Sequence, residues 1–175
     1  MKRWLLPLLL LLTACSSQQV QDGVTLPRDA RWALLPIVNL SEAPRAGERA
    51  RRLVETALRA RGVSPLLAPA PHQKEALPLL DDRVRLDEAL AWARRERIRY
   101  AVTGSVEEWR YKSGLDGEPA VGLSLRIIEI PSGRVVWAAS GARTGWGYAN
   151  LAGTAAKVID GLLDALRLDS AAPAP

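Results

Sequence analysis

Cysteine is almost missing from this chain: Cys15 is the only one, so no intrachain disulfide can form and stability has to come from burial. Histidine is as scarce. His72 stands alone, with no second histidine to build a metal site and no partner nucleophile to suggest a Ser-His-Asp arrangement. The sequence holds no GxSxG, no phosphate-binding P-loop, no HExxH and no CxxC. No apolar run reaches the roughly 20 residues that a membrane-spanning helix needs. Internal repeats are absent, and no shift of composition marks a second domain. These absences leave a non-enzymatic protein as the expectation, with no cofactor and no metal.

What is present starts at the N-terminus. Lys2 and Arg3 precede an apolar run from Trp4 to Leu12, too short to cross a bilayer and interrupted by Pro7, which reads as a signal-peptide core. Leu12-Thr13-Ala14-Cys15 is similar to a bacterial lipobox, in which small residues admit the peptidase and the cysteine thiol takes a diacylglycerol. Two or three acyl chains (palmitate among them) on Cys15 would hold the protein firmly in lipid, at about 0.8 kcal/mol per buried CH₂. Ser16 follows, where an aspartate would retain the protein at the inner membrane, so the expected location is the outer membrane, facing the periplasm. Loss of the signal lowers the formal net charge of +5 by the two charges of Lys2 and Arg3, to +3. That balance, without a basic aromatic motif, does not suit nucleic acid. The organisation expected is a signal peptide over 1–14, a lipidated cysteine and tether over 15–29, one domain over 30–169 and a disordered tail over 170–175.

Within the domain, Arg31 to Leu40 is a nearly continuous apolar run, as in a strand buried on both faces, with Pro36 pushing it toward an edge or a bulge. Ser41 can cap a helix carrying Leu53, Val54, Ala57 and Leu58 at helical spacing, closed by Gly62. A short strand is expected over 63–67 and an amphipathic helix over 85–97, with acids in its first turn and arginines in its last. Tyr100 to Tyr111 is rich in β-branched and aromatic residues. Gly114-Leu-Asp-Gly-Glu-Pro119 supplies a turn, and Val121, Leu123, Leu125 and Ile127 alternate along the return strand. A second turn leads into Val135-Val-Trp-Ala-Ala139. After a Gly145-Trp-Gly-Tyr148 loop, Asn150 caps a last helix running to Leu168. The order β-α-β-α-β-β-β-α predicts an α/β (α+β-like) fold: a single small mixed β-sheet with flanking helices.

Candidate chemistry is sparse. Glu107 and Glu108 are adjacent on a strand, so simple alternation points them to opposite faces and denies them a paired role. Asp116 and Glu118 sit two apart in an exposed turn that offers no desolvation to tune them. The arginines of the first helix read as a solvated face.

Several stretches resemble the PelC family, the outer-membrane lipoproteins of the Pel exopolysaccharide secretion machinery. They are Tyr100-Ala-Val-Thr-Gly-Ser-Val, Glu108-Trp-Arg-Tyr-Lys, Gly114-Leu-Asp-Gly-Glu-Pro-Ala-Val-Gly122, Ser132-Gly-Arg-Val-Val-Trp137 and Thr144-Gly-Trp-Gly147. The resemblance implies a homo-oligomeric ring, twelve subunits in the family, beneath the outer membrane. The ring would feed the pore of the partner PelB with a cationic amino-sugar polymer. It implies that Asp116, with Glu118 beside it, lies on the polymer-guiding acidic side, and that Trp146 joins a ring of tryptophans at the membrane interface. Arg99 and Arg110 are candidates for salt bridges between subunits. Trp32, Trp92, Trp109 and Trp137 lie in periodic elements and suit core or subunit packing. A second reading is a periplasm-facing activator of a peptidoglycan synthase. Its reach would be limited, because Ser16–Asp29 spans at most about 50 Å when fully extended.

Overall fold

The computed structural model describes residues 16–20, 24–70, 78–112, 117–146 and 149–169. In chain order these form β1 (Ser16–Val20), β2 (Thr25–Pro27), β3 (Trp32–Asn39), α1 (Ala46–Ala60), β4 (Leu66–Leu67) and α2 (Pro78–Arg95). There follow β5 (Tyr100–Tyr111), β6 (Pro119–Glu129), β7 (Arg134–Thr144), α3 (Leu151–Asp164) and β8 (Arg167–Asp169). One sheet has the strand order β1-β7-β6-β5-β3-β4. The pairs from β1 to β5 are antiparallel and those from β5 to β4 parallel, so the sheet is mixed, as expected. A separate two-stranded ribbon joins β2 and β8 in parallel.

Both faces of the sheet are used, and the alternation of side chains decides how. On one face Trp32, Leu34, Val102, Leu123, Ile127 and Trp137 pack beneath α1 and α3. On the other, Ala33, Leu35 and Ala101 meet α2 through Leu86, Ala89 and Ala93. The register of β6 against β7 shifts between Ile127 and Ile128, where Val136 of β7 is the extra residue. Ile128 and Ile130 lie on the α2 face by the simple alternation of the strand, opposite Val121, Leu123, Leu125 and Ile127. Pro36 lies in the register shift between Leu34 and Ile37, its carbonyl taken by Thr103 Oγ1 at 2.6 Å. Three of the tryptophans, Trp32, Trp109 and Trp137, are buried, and Trp92 is half-buried against the α2 cluster.

The structure departs from the sequence reading at the ends of elements. The stretch taken as a tether contributes β1, which pairs with β7 from Ser16↔Arg143 to Val20↔Ala139, and β2. Without β1, the outer backbone groups of β7 would have no partner; Gln18 on that strand packs over Gly141 and Gly161, where no side chain stands in its way. Helix α1 starts at Ala46, with Arg45 at its N-cap and no side-chain cap. Ser41 is unavailable for that role because its hydroxyl donates to Asn39 Oδ1 at 2.7 Å. Helix α2 begins earlier than expected, at Pro78. Asn150 does cap α3, its Oδ1 accepting from Gly153 N at 2.8 Å, but α3 ends at Asp164 and Leu168 belongs to β8. The expected tail over 170–175 lies outside the described residues.

Because Trp137 is fully buried at the centre of the larger cluster, Trp137→Ala is expected to lower the unfolding free energy by about 3–5 kcal/mol. Urea denaturation followed by circular dichroism measures it.

Candidate functional site

The pairing of β1, β7, β6 and β5 gives the molecule two ends, separated by the 11-residue length of β7, about 35 Å. At one end Ser16 lies opposite Arg143, Thr144 opposite Ala120, and Pro119 opposite Tyr111. This end therefore gathers the residue that follows Cys15, the base of the β5–β6 turn and the Gly145-Trp146 loop. The loop is tied to the turn: Gly145 N donates to Pro119 O at 2.7 Å, and Lys112 Nζ donates to Thr144 Oγ1 at 2.8 Å. A Cβ on Gly145 would lie 2.6 Å from Pro119 Cγ and 2.8 Å from Ala149 Cβ, so only glycine lets the loop close this tightly. The next residue is thrown outward. Trp146 is 78% exposed, the most exposed of the large apolar side chains described.

Of the acidic turn, Glu118 is half-buried and its carbonyl accepts from Lys112 N at 2.7 Å. Asp116 lies outside the described residues, as do Cys15 and His72. Arg99 and Arg110 both have partners within the chain. Arg110 Nε meets Glu108 Oε1 at 2.8 Å, and Arg99 Nη2 meets Glu129 Oε1 at 2.7 Å, with its guanidinium 5.5 Å from the centre of the Tyr100 ring. A hydrogen bond with Tyr100 and the charge of Glu129 hold the Arg99 guanidinium above its ordinary pKa, so it stays charged at every working pH.

Glu107 and Glu108 do not oppose each other as simple alternation implies. The register of β5 against β6 shifts between Val106 and Glu108, and the bulge turns both side chains to one face. Glu107 Oε1 accepts from Ser105 Oγ at 2.5 Å, and Glu108 stands beside Gly122 and Arg110. The signal was in the sequence: apolar residues fall on even positions up to Val106 and on odd ones from Trp109. On this face α2 leaves β6 and β7 open. Ser105, Ser124 and Ser140 form a row across three strands, flooring a groove of about 740 Å³. An exposed carboxylate on Ser105, with no imidazole between them, is a hydrogen bond rather than an activated nucleophile. Among the described residues no group of three His, Cys, Asp or Glu could hold a metal, and no helix is long and apolar enough to cross a membrane.

The opposite end carries arginines. Arg94, Arg97 and Arg99 line a hollow of about 350 Å³ with Ile98, Ile130 and Pro131. Here α2 and α1 finish in the same way. At α1, Gly62 N bonds Arg59 O and Val63 N bonds Leu58 O; at α2, Arg97 N bonds Arg94 O and Ile98 N bonds Ala93 O. The motif needs a left-handed residue. Gly62 supplies it with φ +82°, but at α2 the position is taken by Arg97 with φ +52°, at a cost of about 1 kcal/mol relative to glycine. Arg97→Gly is accordingly expected to stabilise the fold by about 1 kcal/mol, read from chemical denaturation midpoints at unchanged cooperativity.

No family model and no curated protein matches this chain, but solved structures do. A variant PelC dodecamer from Paraburkholderia phytofirmans is 35% identical, with 89% of this chain and 100% of that chain covered and a TM-score of 0.75. A PelC dodecamer from the same organism in another crystal form is 34% identical over the same shares, with a TM-score of 0.74. Lipoprotein GNA1162 from Neisseria meningitidis shares the fold alone, at 12% identity, 77% and 96% coverage and a TM-score of 0.54. Identity at this level, over 89% of this chain and with a TM-score of 0.75, makes this chain a member of the PelC family.

Proposed function

We propose that this chain is a non-enzymatic lipoprotein of a Pel exopolysaccharide export machine, anchored in the outer membrane through acylated Cys15. It assembles into a periplasmic ring that guides a cationic amino-sugar polymer to the pore of PelB. The observation that carries the reading is the shared end of the sheet. Ser16, which adjoins Cys15, and the outward-facing Trp146 lie at one end of the β1–β7 pair. A lipid anchor and an exposed indole on the same end suit insertion at one membrane surface, since indole favours the headgroup level. The dodecameric state of the PelC relatives supports the ring.

Guidance is assigned to Asp116, with Glu118, in the turn at that same end. One carboxylate attracts a polycation by about 1 kcal/mol at contact in water, but a closed ring repeats the charge in every subunit and focuses the field. Lys112 and Arg143 share this end of the chain, whereas its arginine cluster is remote from it. Its arginine-lined hollow lies about 35 Å from the turn, several times the screening length of about 8 Å at physiological ionic strength. Family membership speaks against the synthase-activator reading, and so does β1: with Ser16–Val20 paired in the sheet, little chain remains to span the periplasm.

Light scattering on residues 16–175 at several concentrations should return the mass of a large closed assembly. A strict monomer, with and without detergent micelles, would overturn the ring. Trp146→Ala is expected to reduce membrane association and polymer secretion at an unchanged unfolding midpoint; unaltered secretion would remove the interface role. Asp116→Ala should lower secretion with assembly intact, and normal secretion would leave Asp116 a turn residue only.

A further inference from the structure

We propose that the arginine-lined end of the molecule is a docking surface for the carboxylates of peptidoglycan stem peptides. The inference rests on the anchored orientation above, which turns this end away from the outer membrane and toward the cell wall. Arg94, Arg97 and Arg99 line the hollow; Arg95 is in the last turn of α2, Arg31 pairs with Glu96 and Arg134 lies opposite Glu129. Glu96 and Glu129 are already engaged, with Arg31 at 3.5 Å and Arg99 at 2.7 Å. Arg94, Arg95, Arg97 and Arg134 have no acidic partner among the described residues.

Their placement is not explained by the helix alone. Cations in the last turn of α2 complement its dipole, which accounts for Arg94 and Arg95 but not for Arg97, Arg99 or Arg134 beyond it. Arg97 occupies a left-handed position that α1 fills with Gly62, so the chain keeps a charged side chain where the backbone favours none. The hollow between Arg94, Arg97 and Arg99 has Ile98, Ile130 and Pro131 for a floor, and an apolar floor strengthens charge-assisted hydrogen bonds by limiting water. A guanidinium fork matches a carboxylate through two parallel N–H donors. The polymer bearing repeated carboxylates beneath an outer membrane is peptidoglycan. The same charge repels a cationic exopolysaccharide and confines it to the other end.

The test is co-sedimentation of the mature lipidated protein, in neutral detergent, with purified peptidoglycan sacculi. Wild type is expected to sediment and to be released by salt. Arg94→Glu with Arg97→Glu should lower the apparent affinity about tenfold, in keeping with the loss of charge-assisted hydrogen bonds. Sacculi with amidated carboxyl groups should not bind. Arg97→Gly should bind less while melting at a higher temperature, a combination that a purely structural arginine would not produce. The proposal is overturned if wild type stays in the supernatant, if neither the double substitution nor amidation changes binding, or if phosphatidylglycerol vesicles bind and sacculi do not. It is also overturned if the double variant no longer assembles by light scattering, which would make these arginines subunit contacts. Sacculus binding by a protein that proves monomeric would sink the ring alone.

Discussion

The antiparallel pairing of β5, β6 and β7 is the constraint on which the rest of this structure depends. Its register sets Val102, Ile127 and Trp137 on one face beneath α1 and α3, and that shared burial supplies much of the driving force for folding. The same register fixes what lies at each end. Thr144 is held opposite Ala120 and Arg134 opposite Glu129, so the loop with Trp146 and the β6–β7 turn cannot approach one another. Two local shifts in the ladder, after Val106 and after Ile127, then redirect side chains without disturbing the frame. The first gathers Glu107 and Glu108 on the open face; the second places the extra residue, Val136, on β7.

A formal charge is a poor guide to a molecule built in this way. A cluster of arginines sits at the end where α2 stops and β5 starts, a strand's length from the turn that holds Glu118. At that separation, salt screens one end from the other, and each meets its surroundings as a separate surface. The end that holds Ser16 combines an outward indole with a glycine, Gly145, that has no room for a Cβ; the opposite end keeps Arg97 where glycine would be more comfortable.

Much of the fold could be read from local pattern. The alternation along β6, the 3.6-residue spacing of Leu53, Val54, Ala57 and Leu58, the Asn150 cap and the Gly62 stop all depend on near neighbours and all appear where expected. The family was readable too, because its marks are short contiguous stretches around the β5–β6 turn. The caps and edges were less accessible. Ser41 is a sound N-cap residue until Asn39 claims its hydroxyl, and nothing in Ser16–Val20 itself announces a strand.

Local pattern along the chain established the periodic elements, their order and the scarcity of catalytic groups, since each is a property of residues close in sequence. Tertiary structure alone decided the pairing of β1 with β7 and of β2 with β8, the common face of Glu107 and Glu108, and the gathering of Arg31, Arg94, Arg97, Arg99 and Arg134 at one end. The physical reason is that unpaired strand edges and clustered charges find their partners across space. Residues more than a hundred positions apart, such as Ser16 and Arg143, become neighbours only once the sheet has formed.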